Sequence, residues 1–358
     1  MKIATPYVLS CLAALLLAGC DAIGPRSIPV DRSDYSTSIA ESWKQQTLLN
    51  IVKLRYMDLP VFVEVASIVA GYSMQTGVAL TGTSSSPSAV QGDFLSAGGS
   101  AVYTDRPTIT YVPMTGEKFL RALITPIDPK NIFFMLQAGY AADFILGLTV
   151  DSLNGVRNRS ASGGKVREAD ADFVKAVQLI REVQLAGAVG MRVKVDKATG
   201  DSAVLLIRRD DIPDDVRAKA AEIRRLLGLP ADQQEFKLVY SQGRGAPDEL
   251  AVNSRSMLQI MGAFATYADV PQADVDAHRA LPSLEKSPEG TVEQLVHIHS
   301  GKEQPQGAFA SVFYRDSWFW VADDDLFTKR ALTAVVFFFT LMGERGEEPL
   351  PLVTIPAQ

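Results

Sequence analysis

Cysteine is nearly missing from this chain: two occur in 358 residues, at positions 11 and 20. That excludes a disulfide framework and any zinc centre built mainly on thiolates. Histidine is almost as scarce, with three residues that all fall late in the sequence. No serine–histidine motif therefore marks a hydrolytic nucleophile, although SASGG and TGTSSS hold several serines. Excess basic charge is lacking too, since 35 Lys and Arg face 41 Asp and Glu and leave a net charge of −6. Without clustered cations to displace counterions, a nucleic-acid partner is excluded. The stretch GRGAPDE lacks the lysine of a phosphate-cradling loop. Within the mature chain, the late run from Leu326 to Met342 is too short to span a bilayer, which takes about 20 apolar residues. What is present, 47% hydrophobic and 21% charged side chains, is the composition of a globular protein large enough to fold without staples.

The amino terminus carries the clearest pattern. Lys2 supplies a positive start, CLAALLLAG a short apolar core, and Ala18 and Gly19 the small residues that a peptidase accepts beside its cut. The ending Leu17-Ala18-Gly19-Cys20 resembles the lipobox of bacterial lipoproteins. That resemblance implies removal of residues 1–19 and a thioether from the Cys20 sulfur to diacylglycerol, with acyl chains anchoring the protein. Asp21 resembles the inner-membrane retention signal of enteric lipoproteins, so the expectation is a chain held at the inner rather than the outer membrane and facing the periplasm.

Residues 20–35 mix Pro, Ser, Asp and Arg without an apolar period and read as a tether. A helix capped by Ser36 or Ser38 should follow, with Ile39, Trp43, Leu48, Ile51 and Val52 as its apolar stripe. VFVEVASIVAGYSM reads as a buried strand, residues 75–102 as a weak strand and mobile insertion, and RPTITYVP as a strand. Helices are expected at 115–125 and 129–139, and FILGLTVDSLNG as a strand ending in an Asn-Gly turn. RNRSASGGKVREAD reads as a linker, so that 159–168 would join an N-terminal α+β region (36–158) to a C-terminal one (169–358). The second half predicts a helix on Phe173, Val177, Ile180 and Val183, a hairpin of Met191–Val195 with Ala203–Ile207, and a helix from Pro213 closed by Gly228. EFKLVY, LVHIH, FASVFYR and WFWVA read as strands, and SRSMLQIMGAFATYA and Leu326–Met342 as helices. The fold class predicted is α+β, with a mixed, mainly antiparallel sheet, packed helices and one or two subdomains.

The stretches DYSTSIAESWKQQTLLNIVKLRYMDLPVFVEV, RPTITYVPMTGEKFLRALITPI and FASVFYRDSWFWVADDDLFTKR together resemble a family of predicted lipoproteins of Gram-negative bacteria. The resemblance implies placement in the cell envelope and carries no catalytic residues.

Three clusters are candidates for chemistry. His297 and His299, two apart, share one face of a strand as in several zinc sites; His278 or one of Asp323, Asp324 and Asp325 would have to supply a third ligand. The bland alternative puts Leu295, His297 and His299 on a half-exposed face, with Val296 and Ile298 inward. The acidic run ADDDLF is a cation site or, the favoured reading, the cap of the helix beginning at Leu326. In YRDSWFW, a two-residue turn at Asp316-Ser317 would oppose Arg315 to Trp318 and Phe313 to Trp320. That face of Phe313, Arg315, Trp318 and Trp320, with a cation–π pair, reads first as core and second as a partner-binding surface. The expectation is a membrane-anchored envelope lipoprotein, a non-enzymatic binding or scaffold component contacting another envelope component, with no cofactor. The alternative is a periplasmic metal-dependent hydrolase using His297 and His299.

Overall fold

The computed structural model describes residues 28–69, 71–83, 94–163, 165–196, 200–208, 212–283 and 296–342. The lipobox, Cys20, Asp21 and Leu295 lie outside these residues. The chain is α+β, with helices and mostly antiparallel sheets. Among the described residues no helix is long and apolar enough to cross a membrane. Two compact units divide it: one holds the residues through Glu41 and Val63–Met114, the other Ser42–Phe62 and the residues from Thr115 onward.

Helix α1 (Ile28–Arg55), whose residues belong to the first unit up to Glu41 and to the second from Ser42, begins earlier than the sequence suggests. Eight residues of the expected tether are helical, and Ser36 and Ser38 lie inside the helix rather than at its cap. Asp31 in the first turn favours the dipole, and Pro29 is tolerated there because first-turn amides lack intrahelical acceptors. Strands β1 (Phe62–Val69) and β4 (Thr108–Met114) pair with each other. Between them β2 (Tyr72–Thr83) and β3 (Phe94–Asp105) form an antiparallel hairpin with twelve paired positions. The amide of Arg106 donates to Gly71 O at 2.9 Å and links the two pairs into one ribbon. Two expectations fail here. The strand expected to be buried leaves Glu64, Ala66, Ser67 and Val69 exposed, and the parts of the low-charge segment at 75–83 and 94–102 form long regular strands, while the expected insertion at 84–93 lies outside the described residues. Glycine and serine thin a strand's side chains without removing its ladder bonds, so composition understated the pairing.

The second unit is built on a six-stranded sheet in the order β6 (Val156–Arg157), β5 (Val150–Leu153), β12 (Glu249–Ser254), β11 (Glu235–Tyr240), β10 (Gly200–Ile207), β9 (Val189–Asp196). Helices α2 (Gly116–Ile124), α3 (Pro129–Gln137) and α4 (Ala142–Thr149) lead into β5 (Val150–Leu153). FILGLT is thus helical, not a strand: a short run that is apolar on every side fits a buried helix as well as a buried strand. Asn154 and Gly155, with φ of 47° and 83°, turn the chain into β6 (Val156–Arg157). The expected linker is instead β6, β7 (Ser160–Ser162) and β8 (Lys165–Arg167), and β6 belongs to the main sheet. Both sides of residue 160 belong to one compact unit: Ser160 and Ser162 lie in β7, and Gly163, at φ of 57°, follows it.

Helix α5 (Ala171–Leu185) buries Phe173, Val177, Ile180 and Val183 as their spacing predicts. β9 (Val189–Asp196) and β10 (Gly200–Ile207) form the expected hairpin, and α6 (Asp214–Leu227) ends at Gly228, whose φ of 62° suits glycine. β11 (Glu235–Tyr240) runs parallel to β12 (Glu249–Ser254), a strand that the sequence reading missed. Asn154 ties this sheet to its surroundings: its Oδ1 accepts from the Ala251 amide at 2.9 Å and its Nδ2 donates to Leu227 O at 3.0 Å. Helices α7 (Met257–Thr266), α8 (Gln272–Asp276) and α9 (Leu326–Met342) and the three-stranded sheet β13 (His299–Gly301), β15 (Ser317–Val321), β14 (Ala310–Tyr314) complete the unit. Phe62, Phe133, Phe173, Phe236, Phe319 and Phe338 are fully buried in it.

Candidate functional site

Val296 and Ile298 point inward and the imidazoles of His297 and His299 are partly exposed, with ring centroids 6.5 Å apart and nearly parallel. The two histidines turn to different partners. His297 Nδ1 lies 3.2 Å from Asp325 Oδ2, and His299 Nδ1 lies 3.9 Å from Asp269 Oδ2. Among the described residues no group of three or more His, Cys, Asp and Glu is placed to hold a metal ion. Asp325 is the cap of α9, accepting the Thr328 amide at 2.9 Å and its hydroxyl at 2.6 Å. Burial pushes the Asp325 carboxyl up, but the Thr328 donors and His297 outweigh it and hold the group below the usual carboxylate range. Asp323 pairs with Lys329 at 2.7 Å.

The β14–β15 hairpin differs from its expected register. Its turn is Arg315-Asp316, both at positive φ (46° and 62°), so Tyr314 pairs Ser317, Phe313 pairs Trp318 and Ser311 pairs Trp320. Two successive left-handed residues are what a two-residue hairpin turn with the strands' own twist demands, and aspartate tolerates that region well. The shift takes Arg315 away from Trp318, so the expected cation–π pair does not form. The guanidinium lies instead 5.0 Å from the Tyr56 ring centroid and 2.9 Å from Asp58. The aromatic face is not core either. Val312, Ser317, Phe319 and Val321 face inward, while Phe313 is 56% exposed and Trp318 and Trp320 are half-buried. Phe313 packs on Trp318 at 5.4 Å and Trp320 on His299 at 5.5 Å.

The concavity with the most developed chemistry lies elsewhere in this unit. A cavity of about 350 Å³ opens between α4, α7 and the start of α9, walled by Phe144, Leu148, Phe264, Val296 and Phe327. Phe144 and Phe327 meet edge to face at 5.7 Å, and Gly147 and Ala263 leave the space between helices open. Three arginines reach it. Arg255 is a structural strut: its guanidinium donates to Gly147 O at 3.3 Å, to Leu148 O at 3.1 Å and to Arg159 O. Burial pushes its pKa down and Asp151, 3.7 Å away, opposes the shift; a guanidinium stays charged under both influences. Arg159 is held by Glu168 at 2.7 Å. Arg330 differs. Among the described residues it has no hydrogen-bonding or carboxylate partner, and it sits 4.0 Å from the Phe144 ring centroid.

Tyr267 sharpens the contrast. The residue is 6% exposed, lines the cavity, and its hydroxyl has no partner in hydrogen-bonding geometry among the described residues. Burial pushes the phenol pKa up, and the neighbouring Arg159 works against that push without a well-formed bond to the oxygen. A buried polar atom left unpaired costs about 1–3 kcal/mol, so one in a cavity marks where a ligand atom would be welcome. No Ser, Thr, Cys, His or Lys stands among the described lining residues, and Asp143 is the one carboxylate there. The arrangement offers donors and apolar walls, which is equipment for binding. The sequence reading missed all of it; its faint trace is arginine inside otherwise apolar runs, at Arg255 in AVNSRSMLQIM and Arg330 in LFTKRALTAVV.

The chain matches no protein-family model, no curated protein and no solved structure. The reading of its function therefore rests on its own residues.

Proposed function

We propose that this chain is a lipid-anchored protein of the cell envelope whose larger unit binds an anionic amphiphile, a carboxylate on an acyl chain, in the cavity beside Tyr267 and Arg330. The anchoring half of the reading is supported by the sequence that ends at Cys20 and by the resemblance to lipoproteins. The binding half is carried by one observation: among the described residues the Tyr267 hydroxyl is buried without a hydrogen-bond partner in an apolar cavity that also holds the Arg330 guanidinium, which has no carboxylate partner among them. A volume near 350 Å³ sits at the small end of ligand pockets, which suits a medium chain. Phenol and guanidinium would both donate to the carboxylate, while the phenylalanine walls cover the hydrocarbon.

Calorimetric titration with decanoate and with decanol tests this. Decanoate should bind and decanol should not, and Arg330→Gln should weaken decanoate by about tenfold, the effect of roughly 1.4 kcal/mol. Tyr267→Phe should weaken it similarly while leaving the melting temperature of the unliganded protein unchanged or higher, because an unsatisfied buried hydroxyl is removed. Equal binding of acid and alcohol, or of neither, would overturn the reading.

A further inference from the structure

The β2–β3 hairpin presents a pattern that the smaller unit does not use. Twelve residues in each strand pair in unbroken antiparallel register, from Tyr72 opposite Asp105 to Thr83 opposite Phe94. Neither strand carries a charged residue before Asp105, at the foot of the ribbon, with Arg106 just beyond it. The register sorts the residues into two faces. By register position one face takes Met74, Val78, Leu80, Leu95, Ala97 and Tyr103, interrupted by Thr76 and, at the foot, Asp105; the other takes Ser73, Gln75, Thr81, Ser96, Ser100 and Thr104, interrupted by Ala79, Val102 and Phe94. From Met74 to Thr83 and from Phe94 to Tyr103 the hairpin is therefore mainly apolar on one side and mainly polar, without charge, on the other.

Water is a poor surrounding for it. Val78 is 75% exposed, and an isolated two-stranded ribbon is marginal in water even when one face is covered. Among the described residues no further strand pairs with either outer edge, and no lysine or proline in β2 or β3 blunts them. The lengths fit a different solvent: twelve residues at about 3.3 Å each, tilted by about 45°, rise roughly 28 Å, close to the hydrocarbon thickness of a bilayer. A bilayer forbids open strand edges, so a hairpin inside one must have its edges paired by other hairpins.

We propose that this hairpin is a membrane-spanning segment: several copies of the chain pair their hairpins edge to edge into a closed transmembrane β-barrel. The apolar face meets acyl chains, and the serine, threonine and glutamine face lines a water-filled passage for ions and small solutes. Barrels of this kind have eight or more strands, so about four copies or more are needed. An anchor at Cys20 would hold the copies on one surface and raise their effective concentration. The uncharged lumen predicts weak discrimination between anions and cations. This inference does not depend on the cavity or its ligand.

The experiment reconstitutes the purified full-length lipidated protein into phosphatidylcholine–phosphatidylglycerol vesicles and planar bilayers. Single cysteines at positions 77 to 82, labelled with an environment-sensitive dye, should alternate: Val78→Cys and Leu80→Cys quenched by nitroxide lipids, Ala79→Cys and Thr81→Cys quenched by iodide in water. The planar bilayers should show stepwise conductance. Val78→Arg should cut it by about tenfold or more, because each copy then places a cation in lipid. Ala79→Lys should keep the conductance and shift its preference toward anions. Circular dichroism on both variants checks that the chain stays folded, which exposure of Val78 and Ala79 favours. Folded, vesicle-bound protein with no alternation and no conductance would overturn the proposal, and so would oligomers whose hairpins resist nitroxide lipid on both faces.

Discussion

The carboxylate of Asp58, three residues past the end of α1, receives the Arg315 guanidinium at 2.9 Å and the hydroxyl of Tyr314. The loop after that helix is thereby fastened to the β14–β15 turn. Tyr56 extends the link by donating to Asp274 Oδ2 at 2.7 Å, and Asp274 is met by Arg279 at 3.3 Å.

Tyr314 and Arg315 hold Asp58 below the usual carboxylate range. A depressed folded-state pKa gives stability that is present above the unfolded value, near 3.9, and is lost as pH falls through the folded value. Asp58→Asn should therefore melt a few degrees below the parent at neutral pH, with the gap closing toward pH 2. Thermal melts across pH 2–7 measure it; the pair is exposed, so the effect is modest and salt-sensitive. An unchanged gap at pH 2 would assign the effect to packing.

The two faces of β15 should respond differently to truncation. Phe319 is fully buried and its loss to alanine should cost about 3–5 kcal/mol, while Trp320→Ala, half-exposed over Gly301 and His299, should cost about 1–2 kcal/mol. Urea denaturation compares them. Equal costs would mean that the exposed aromatic face carries as much packing as the core.

Cys20→Ser removes the sulfur that the lipobox reading requires. The variant should take up no labelled palmitate in cells and should migrate as an uncleaved precursor, because lipid transfer precedes cleavage in that scheme. Metabolic labelling decides it, and label retained in the variant would sink the lipobox reading. Carbonate washing of membranes then separates two sources of attachment. Newly made chains that have not yet assembled should wash free without the lipid, whereas assembled barrels should resist.

The α+β class and most helices of the second half were legible because periodicity there is strong: Phe173, Val177, Ile180 and Val183 stand one turn apart and all are buried. The Asp325 cap was legible for a similar reason, since local chain chemistry satisfies it. What failed depends on partners distant in sequence. β12 alternates weakly and owes its place to β5 and β11 on either side. The hairpin turn was displaced by one residue because the sequence DS looked as turn-like as RD, and only the twist of the paired strands selects between them. The cavity was invisible because Tyr267 and Arg330 lie 63 positions apart and come together only as the lining of one cavity.

The strand order of the larger sheet has a consequence for how the protein is made. β5 pairs with β12 through Leu153 and Val252, and Asn154 is locked to Ala251 across 97 positions. Synthesis runs from the amino terminus, so β5 must wait for about a hundred residues before its partner exists, and the sheet's centre is the last part to close. Long-range pairing of this kind folds slowly. Under the lipid-anchored reading proposed above, a precursor would gain from that delay: the chain would stay threadable while its leading end is engaged, and the fold would complete on the far side of the membrane.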